Sequence, residues 1–261
     1  MRQADKAEIV ARLRAAGCVY AEAEAELLVS AAATPAELAD MVDRRASGLP
    51  LEHVLGWAEF CGLRIAVAPG VFVPRRRSEF LVGQAIAAAP RVGRCVVLDL
   101  CCGSGAVGVA VATALGRAEL HAADIEPAAV ACARANVAAV GGRAYEGDLY
   151  DPLPPALRGR VDVIVVNAPY VPTSEIGLMP AEARLHEPRV ALDGGPDGVA
   201  IHRRVAAQAP GWLAPRGRLL IETSERQAPL TEAAVISAGL TATVVSDHEM
   251  DATVVTGAAS L

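Results

Sequence analysis

The residues of this chain whose types and spacing could do chemistry are one tetrapeptide, Asn167-Ala168-Pro169-Tyr170, and three acids, Asp99, Asp124 and Asp148. The tetrapeptide follows the apolar run Val161–Val166. The side-chain oxygen of Asn167 and the carbonyl of Ala168 can each accept one N–H of an NH2 group. Pro169 biases Ala168 toward extended backbone, which helps to aim that carbonyl. Tyr170 can pack against a planar group. An amide or aromatic amine nitrogen is a poor nucleophile because its lone pair is delocalised, so it must be held in line with the carbon it attacks. No strong base is needed first, because the alkylated amide cation is acidic and sheds its proton readily. Catalysis by such a segment is positioning and electrostatics. Read alone, the same four residues also suit a turn that ends a strand.

The acids and a glycine loop decide what the carbon donor is. Val96-Val97-Leu98-Asp99-Leu100 runs into Cys101-Cys102-Gly103-Ser104-Gly105-Ala106-Val107-Gly108, an apolar strand, a glycine loop and a helix start. Gly103, Gly105 and Gly108 fit G-x-G-x-x-G, a pattern shared by dinucleotide and S-adenosyl-L-methionine sites. A dinucleotide would lay a diphosphate over this loop, where Asp99 would repel it. S-adenosyl-L-methionine presents an ammonium and a sulfonium, which a carboxylate attracts. Asp99 therefore favours S-adenosyl-L-methionine, and the loop glycines would let the backbone approach its methionine part. Asp124, about twenty residues beyond Gly103, suits the ribose hydroxyls, as it would in a dinucleotide site. Asp148 can accept from the exocyclic amine of adenine, or serve only as a turn former after Gly147.

The elements that must position these groups are legible from periodicity. Strand-like runs cover Cys95–Leu100, Glu119–Ala123, Arg143–Glu146, Val161–Val166, Arg218–Glu222, Thr241–Val245 and Ala252–Thr256. Helical stretches separate the first five, and a further helix precedes Thr241. That alternation predicts an α/β fold with a mostly parallel sheet, the last two runs forming an antiparallel pair at one edge. In such a sheet, ligands sit beyond the carboxyl ends of the strands, so Asp99, Asp124 and Asn167 share one rim. Upstream, residues 1 to about 50 read as helices. Thr34-Pro35-Ala36-Glu37 opens the third, with a Thr cap, Pro at the first position and Glu three residues after the cap. Leu63, Ile65 and Val67 alternate with Arg64 and Ala66. Pro69-Gly70 and Val71-Phe72-Val73 follow, which predicts a strand, a turn and a strand. A helix from about Ser78 to Ala89 comes next.

Bulk properties narrow the partners. The chain has 261 residues, 53% hydrophobic and 21% charged, enough apolar side chain for a sizeable core. The net charge of −6 and the shortness of the basic clusters Arg75-Arg76-Arg77 and Arg203-Arg204 argue against nucleic acid as the direct partner. Six cysteines, none spaced C-x-x-C and none grouped with histidine at zinc spacing, predict reduced thiols, no metal site and a cytoplasmic setting. No signal peptide and no membrane span are expected. The five histidines are scattered and read as structural or surface residues, as does Glu222. Glu182, Arg184 and Glu187 suit either substrate contact or ion pairs that fix a loop.

At these residues the chain resembles a known family. Asn-Pro-Pro-Tyr after the fourth strand marks methyltransferases of planar nitrogens, and further segments resemble the HemK-related protein glutamine methyltransferases, which modify release factors. Those segments are Phe72-Val73-Pro74-Arg75 with Ser78-Glu79, Pro180–Arg184, Glu187-Pro188, Ala191–Gly198, Gly48–Leu51 and Leu55-Gly56. The resemblance covers nearly the whole chain. It implies a helical substrate-recognition domain (1–55), a β-hairpin linker (56–77) and a seven-stranded class I, Rossmann-like methyltransferase domain (78–261). It implies a catalytic segment of Asn167, Ala168, Pro169 and Tyr170. The cofactor contacts it implies are Asp99, Cys101, Gly103, Ser104, Gly105, Asp124, Ile125, Asp148, Leu149 and Asn167. The cofactor would be S-adenosyl-L-methionine, left as S-adenosyl-L-homocysteine. The partner would be a protein presenting a glutamine, a release factor among the candidates, with no direct nucleic-acid or membrane partner. Departures mark a sister subgroup with no substrate assigned: Ala168 replaces a proline, Arg76 and Ser78 replace a Pro and a Thr, and Cys101-Cys102 replaces Gly-Thr. Two other functions compete, amino-methylation of a nucleic-acid base and cofactor binding without catalysis.

Overall fold

The computed structural model describes residues 3–259. Its first helices are α1 (Gln3–Ala15), α2 (Ala21–Ala31), α3 (Pro35–Ala46) and α4 (Leu51–Leu55). Thr34 caps α3 by accepting from Glu37 N–H at 3.1 Å, and Glu37 reaches back to Ala33 N–H at 2.7 Å, close to the reciprocal cap that the sequence pattern predicts. Leu13, Ala25, Leu28, Met41, Val42 and Val54 form the separate apolar core of these helices.

A hairpin follows, β1 (Trp57–Phe60) paired with β2 (Leu63–Ala66). Its turn is Cys61-Gly62, both at positive φ (50° and 70°), the mirror-image geometry that matches strand twist. This corrects the expected hairpin. Val71–Val73 is not a strand, because its polar groups are engaged elsewhere: Val73 N–H donates to Glu187 and the carbonyl of Val71 accepts from His53 Nε2 at 2.9 Å.

The remaining elements are α5 (Ser78–Ala88), β3 (Cys95–Leu100), α6 (Ala106–Leu115), β4 (Ala118–Asp124), α7 (Pro127–Ala138), β5 (Arg143–Glu146), β6 (Val161–Val166), α8 (Ala181–His186), α9 (Ala200–Gln208), β7 (Leu213–Thr223), α10 (Ala228–Ser237), β8 (Thr241–Asp247) and β9 (Ala252–Ala258). The seven-stranded sheet has the order β5-β4-β3-β6-β7-β9-β8. Its first five strands are parallel; β9 runs antiparallel to both β7 and β8, and β8 forms the edge. β7 begins five residues before the predicted run. Its start carries Pro215, Arg216 at φ 67° and Gly217, and the pairing with β6 shifts register there.

Side chains alternate across the sheet, so each face has its own core. Val97, Val163, Val165 and Leu220 pack with α5, α6 and α7. Leu98, Leu100, Ile164, Val166, Leu219 and Ile221 pack with α9 and α10. β3 is buried along its whole length. The chain leaves β3 toward β4 on one side and later returns to β6 on the other, which makes the ends of β3 and β6 the switch point where a crevice opens. Among the described residues no helix is long and apolar enough to cross a membrane.

Candidate active site

One cleft opens at that switch point, and the residues singled out in the sequence converge on it. Asp99, Cys101, Gly103, Ser104, Asp124, Ile125, Asp148, Leu149 and Asn167–Tyr170 all line it, and Gly105 caps the helix immediately behind. Phe72, Pro74 and Arg75 close one side, and Glu187, Pro188 and Val190–Leu192 another.

Asp99 is only 2% exposed. Its Oδ2 accepts from Gly108 N–H at 2.8 Å, tying the end of β3 to the first turn of α6. Burial pushes its carboxyl up to about 7; the Gly108 bond works against that rise and the charge of Asp124 adds to it. Asp124 accepts from Gly103 N–H at 2.8 Å and from Glu126 N–H at 3.0 Å, and burial also raises its carboxyl. Asp148 is not merely a turn former. It pairs with Arg204 at 2.6 Å, so that guanidinium stands beside the β5 end of the cleft.

The three glycines of the loop divide their work. A Cβ on Gly108 would meet Leu120 Cδ1 at 2.8 Å and Asp99 Oδ2 at 2.9 Å, so this glycine lets α6 press onto the sheet. One on Gly105 would meet Val137 Cγ2 at 3.0 Å. Gly103 alone faces open space, with nothing nearer than Phe72 Cβ at 4.0 Å. Cys101 adopts φ 54°, a left-handed conformation for which a side chain is poorly suited. Burial raises the thiols of Cys101 and Cys102, which disfavours their thiolates.

Asn167 stands just past β6, beside the end of β3. Its Nδ2 donates to Ser78 Oγ at 3.1 Å. Ala168 is buried, and the carbonyl of Tyr170 accepts from Gln227 Nε2 at 2.7 Å. The Tyr170 hydroxyl is pushed up to about 12 by burial and by Glu222, against the pull of Arg77. The guanidinium of Arg77 lies 5.7 Å from the centre of the Tyr170 ring. The glycine-rich stretch 193–198 grips this segment. A Cβ on Gly194 would come within 2.7 Å of Tyr170 Cα, and one on Gly198 would run into the Tyr170 carbonyl oxygen. Those glycines are packing residues for the tetrapeptide.

Two ion-pair systems lie at and beyond the cleft's wall. Glu187 binds Arg75 and Val73 N–H, while its Oε2 is buried with no partner. Glu182 joins Arg45 at 3.0 Å, and Arg45 is held by Glu24 at 2.6 Å, with Arg45 and Glu24 both largely buried. This clamp ties α8 to α2 and α3. Arg184 makes no ion pair among the described residues. Of the basic clusters, Arg75, Arg77, Arg203 and Arg204 all face carboxylates, so neither forms a free basic patch. His53, His121 and His202 are buried with structural partners, and burial pushes His202 down to about 4. Among the described residues no group of three or more His, Cys, Asp or Glu could hold a metal ion.

Sequence reasoning missed Ser78 and Glu222 as neighbours of Asn167. Glu222 is 2% exposed on β7, with Arg77 Nε 3.6 Å from its Oε1. Burial raises its carboxyl, against the nearby Ser78 hydroxyl and the charge of Arg77, and its Oε2 is buried with no hydrogen-bond partner among the described residues. The register offered a signal, because Val166 pairs with Ile221, so that Asn167 and Glu222 each follow a residue of the last pair between β6 and β7.

Comparison with known proteins agrees with this fold. The family model described as "Methyltransferase small domain" matches residues 63–195. The release factor glutamine methyltransferase of Geobacter sulfurreducens is 41% identical over 199 residues, 74% of this chain and 68% of the relative. That of Moorella thermoacetica is 36% identical over 243 residues and 84% of each chain. Among solved structures, a methyltransferase from Pyrococcus furiosus superposes with a TM-score of 0.57 at 15% identity, over 77% of this chain and 90% of the other. A ribosomal protein L11 methylase from Lactobacillus delbrueckii subsp. bulgaricus does so at 0.52 and 18% identity, over 74% and 83%. These two speak to the fold, a class I methyltransferase sheet.

Proposed function

Because the chain belongs to the family of release factor glutamine methyltransferases, we propose that it transfers a methyl group from S-adenosyl-L-methionine to the side-chain amide nitrogen of a glutamine in a peptide chain release factor, in the cytoplasm. The observation that carries this reading is the position of Asn167. It lines the same cleft as Asp99 and Asp124, at the end of the strand next to β3.

The cleft residues fit the cofactor. Asp99 is a buried carboxylate whose hydrogen-bond partner among the described residues is one backbone N–H and which has no ion-pair partner among them, a natural seat for an ammonium. Asp124 has each oxygen fixed by a backbone donor, with lone pairs left for ribose hydroxyls. Gly103 leaves space at the loop where a bound group approaches. Ile125, half exposed, and Leu149 offer apolar contact for a purine, and Asp148 an acceptor for its amine. When bound, S-adenosyl-L-methionine supplies a methyl group carried on a sulfonium and is left as S-adenosyl-L-homocysteine.

The chain's own work is orientation. Asn167 Oδ1 and the carbonyl of Ala168 accept the two N–H groups of the glutamine amide, which presents its nitrogen toward the rim. Ala168 is buried, and Tyr170 is held by Gln227 and Gly198, so the replacement of a proline at 168 leaves the segment held by packing. Tyr170 and Phe72 flank the planar group and exclude water. The high value of the Tyr170 hydroxyl argues against its serving as a base.

The test is incubation of the purified chain with a release factor, with total RNA and with labelled S-adenosyl-L-methionine, followed by mass spectrometry. One methyl group on a single glutamine is expected. Label in RNA alone, or in neither, would refute the reading.

A further inference from the structure

The glycine loop leaves one carbonyl in need of a donor. A regular helix would offer Ser104 the N–H of Gly108, four residues on, but Asp99 takes that N–H at 2.8 Å. Ser104 is buried, and a buried carbonyl without a partner is costly. Asn136 of α7 supplies the donor, its Nδ2 reaching the Ser104 carbonyl at 2.8 Å. The same side chain also holds the hairpin. Its Oδ1 accepts from Ala66 N–H and its Nδ2 donates to the Ala66 carbonyl, both at 2.9 Å, the two-bond exchange that a neighbouring strand would make. Ala66 ends β2, and the next N–H, of Val67, bonds to Gly56 instead. The orientation of the Asn136 amide is settled by its neighbours, one donor and two acceptors. One turn earlier on α7, Cys132 Sγ donates to the Ala66 carbonyl at 3.1 Å. Ala129 and Cys132 pack with Val67, Val71 and Val73, so one stripe of α7 carries the chain from β2 to the cleft wall. On that wall, Phe72 is the nearest neighbour of the open space at Gly103.

We propose that Asn136 is a positioning residue that locks the glycine loop to the hairpin linker, so that S-adenosyl-L-methionine bound at the loop also fixes Phe72 and Arg75 on the substrate side of the cleft. The proposal rests on the cofactor reading given above and adds a route by which the cofactor prepares the cleft for its protein substrate. A cofactor seated on Gly103 restrains the loop, and one planar amide passes that restraint to Ala66. The chain from Ala66 to Val73 lies along α7 and hands it to the wall. By linkage, a substrate bound against that wall tightens the cofactor by the same factor. Asn136 is half-buried, so its replacement leaves the core intact.

The experiment compares the wild-type chain with Asn136→Ala, Asn136→Asp and Cys132→Ala. Asn136→Asp keeps an acceptor for Ala66 N–H and loses both donors. Cys132→Ala loosens the hairpin side alone. Hydrogen exchange is followed at Gly105 in the loop and at Val67 and Val71 beyond β2, whose N–H groups bond to Cys102, Gly56 and Ala68 rather than to Asn136. Each protein is measured with and without S-adenosyl-L-methionine, and calorimetry gives the dissociation constant. Without cofactor, both Asn136 variants should exchange about fivefold faster at loop and hairpin, the equivalent of one hydrogen bond. Cys132→Ala should exchange faster at the hairpin only. Saturating cofactor should slow all three amides in the wild-type chain and in Cys132→Ala. In the Asn136 variants it should slow Gly105 and leave Val67 and Val71 as they were. The dissociation constant should rise about five- to tenfold in the Asn136 variants and about twofold or less in Cys132→Ala. A merely structural role would lower the melting temperature of all three variants without changing what the cofactor does to the hairpin. Unchanged loop exchange in free Asn136→Ala, or hairpin amides still slowed by cofactor in that variant, would overturn the lock. A wild-type chain that binds no S-adenosyl-L-methionine would overturn the cofactor reading instead, and exchange in the free protein would still decide the lock.

Discussion

Replacing Asp99 by Asn should stabilise the free protein at alkaline pH and weaken its hold on the cofactor. The carboxyl of Asp99 is raised from 3.8 to about 7 by burial. A raised acid binds its proton more tightly in the folded state, so folding is penalised as pH climbs from the unfolded value to the folded one. The penalty is full above about pH 7, where a rise of that size corresponds to about 4 kcal/mol. The introduced amide would carry no charge and could still accept from Gly108 N–H, but its buried NH2 would go unpaired at a cost of about 1–3 kcal/mol. Near pH 5 the two proteins should therefore differ little. Between about pH 5 and pH 8.5 the balance should swing by roughly 3 kcal/mol in favour of the variant, a shift of about 6–12 °C in melting temperature. Comparing the two proteins at each pH cancels the other raised carboxyls, Asp124, Glu187 and Glu222. The cofactor should reverse the ranking, because a bound ammonium offsets the charge that folding leaves uncompensated. In the wild-type chain, affinity for S-adenosyl-L-methionine should rise with pH up to about 7, by as much as about tenfold per unit. In the variant it should be weak and flat. Melting curves with and without cofactor across this range are the assay. A variant less stable than wild type at both pH values, with normal cofactor affinity, would refute the reasoning.

Other outcomes follow from the same geometry. Asn167→Ala should cost roughly 2–4 kcal/mol of transition-state stabilisation, about thirtyfold to a thousandfold in turnover, while calorimetry finds the cofactor still bound; near-normal turnover would remove Asn167 from its role. Cys101→Gly should raise the melting temperature by the equivalent of about 1 kcal/mol, because the left-handed backbone at φ 54° no longer carries a side chain; a lower melting temperature would show that the thiol's packing matters more. Glu24→Ala should destabilise by about 3 kcal/mol in denaturant titration, since Arg45 keeps Glu182 but loses its buried partner. Hydrogen exchange of α8 should quicken in that variant, and unchanged exchange would mean that the clamp does not restrain the loop.

Much of the fold was legible because strands buried on both faces read as short apolar runs. Cys95–Leu100 and Val161–Val166 carry the bounds that their sequences predict. The rim was legible for a topological reason: parallel strands end on the same side, so acids and an amide at strand ends had to meet. What escaped depended on distant partners. Val71–Val73 looks like a strand by composition, yet Glu187 and His53 occupy its backbone groups. The Cys61-Gly62 turn was hidden because Cys seldom takes positive φ. The opening of β7 was masked by Pro215 and Gly217. Ser78 and Glu222 were read apart because nothing local joins the start of a helix to a strand far downstream. The glycines at 194 and 198 could be recognised as a pattern, but their reason, the close approach of Tyr170, exists only in three dimensions.

The placement of β9 between β7 and β8 has a consequence for how the molecule is made. Ribosomes deliver β7 and β8 first, and β7 then exposes a full row of unpaired backbone groups along one side until residues 252–258 emerge. An open strand edge of that kind recruits other chains. A nascent chain stalled between residues 223 and 252 would thus hold its cofactor rim complete while its sheet remained adhesive, and aggregation during synthesis should be governed by the last strand to arrive.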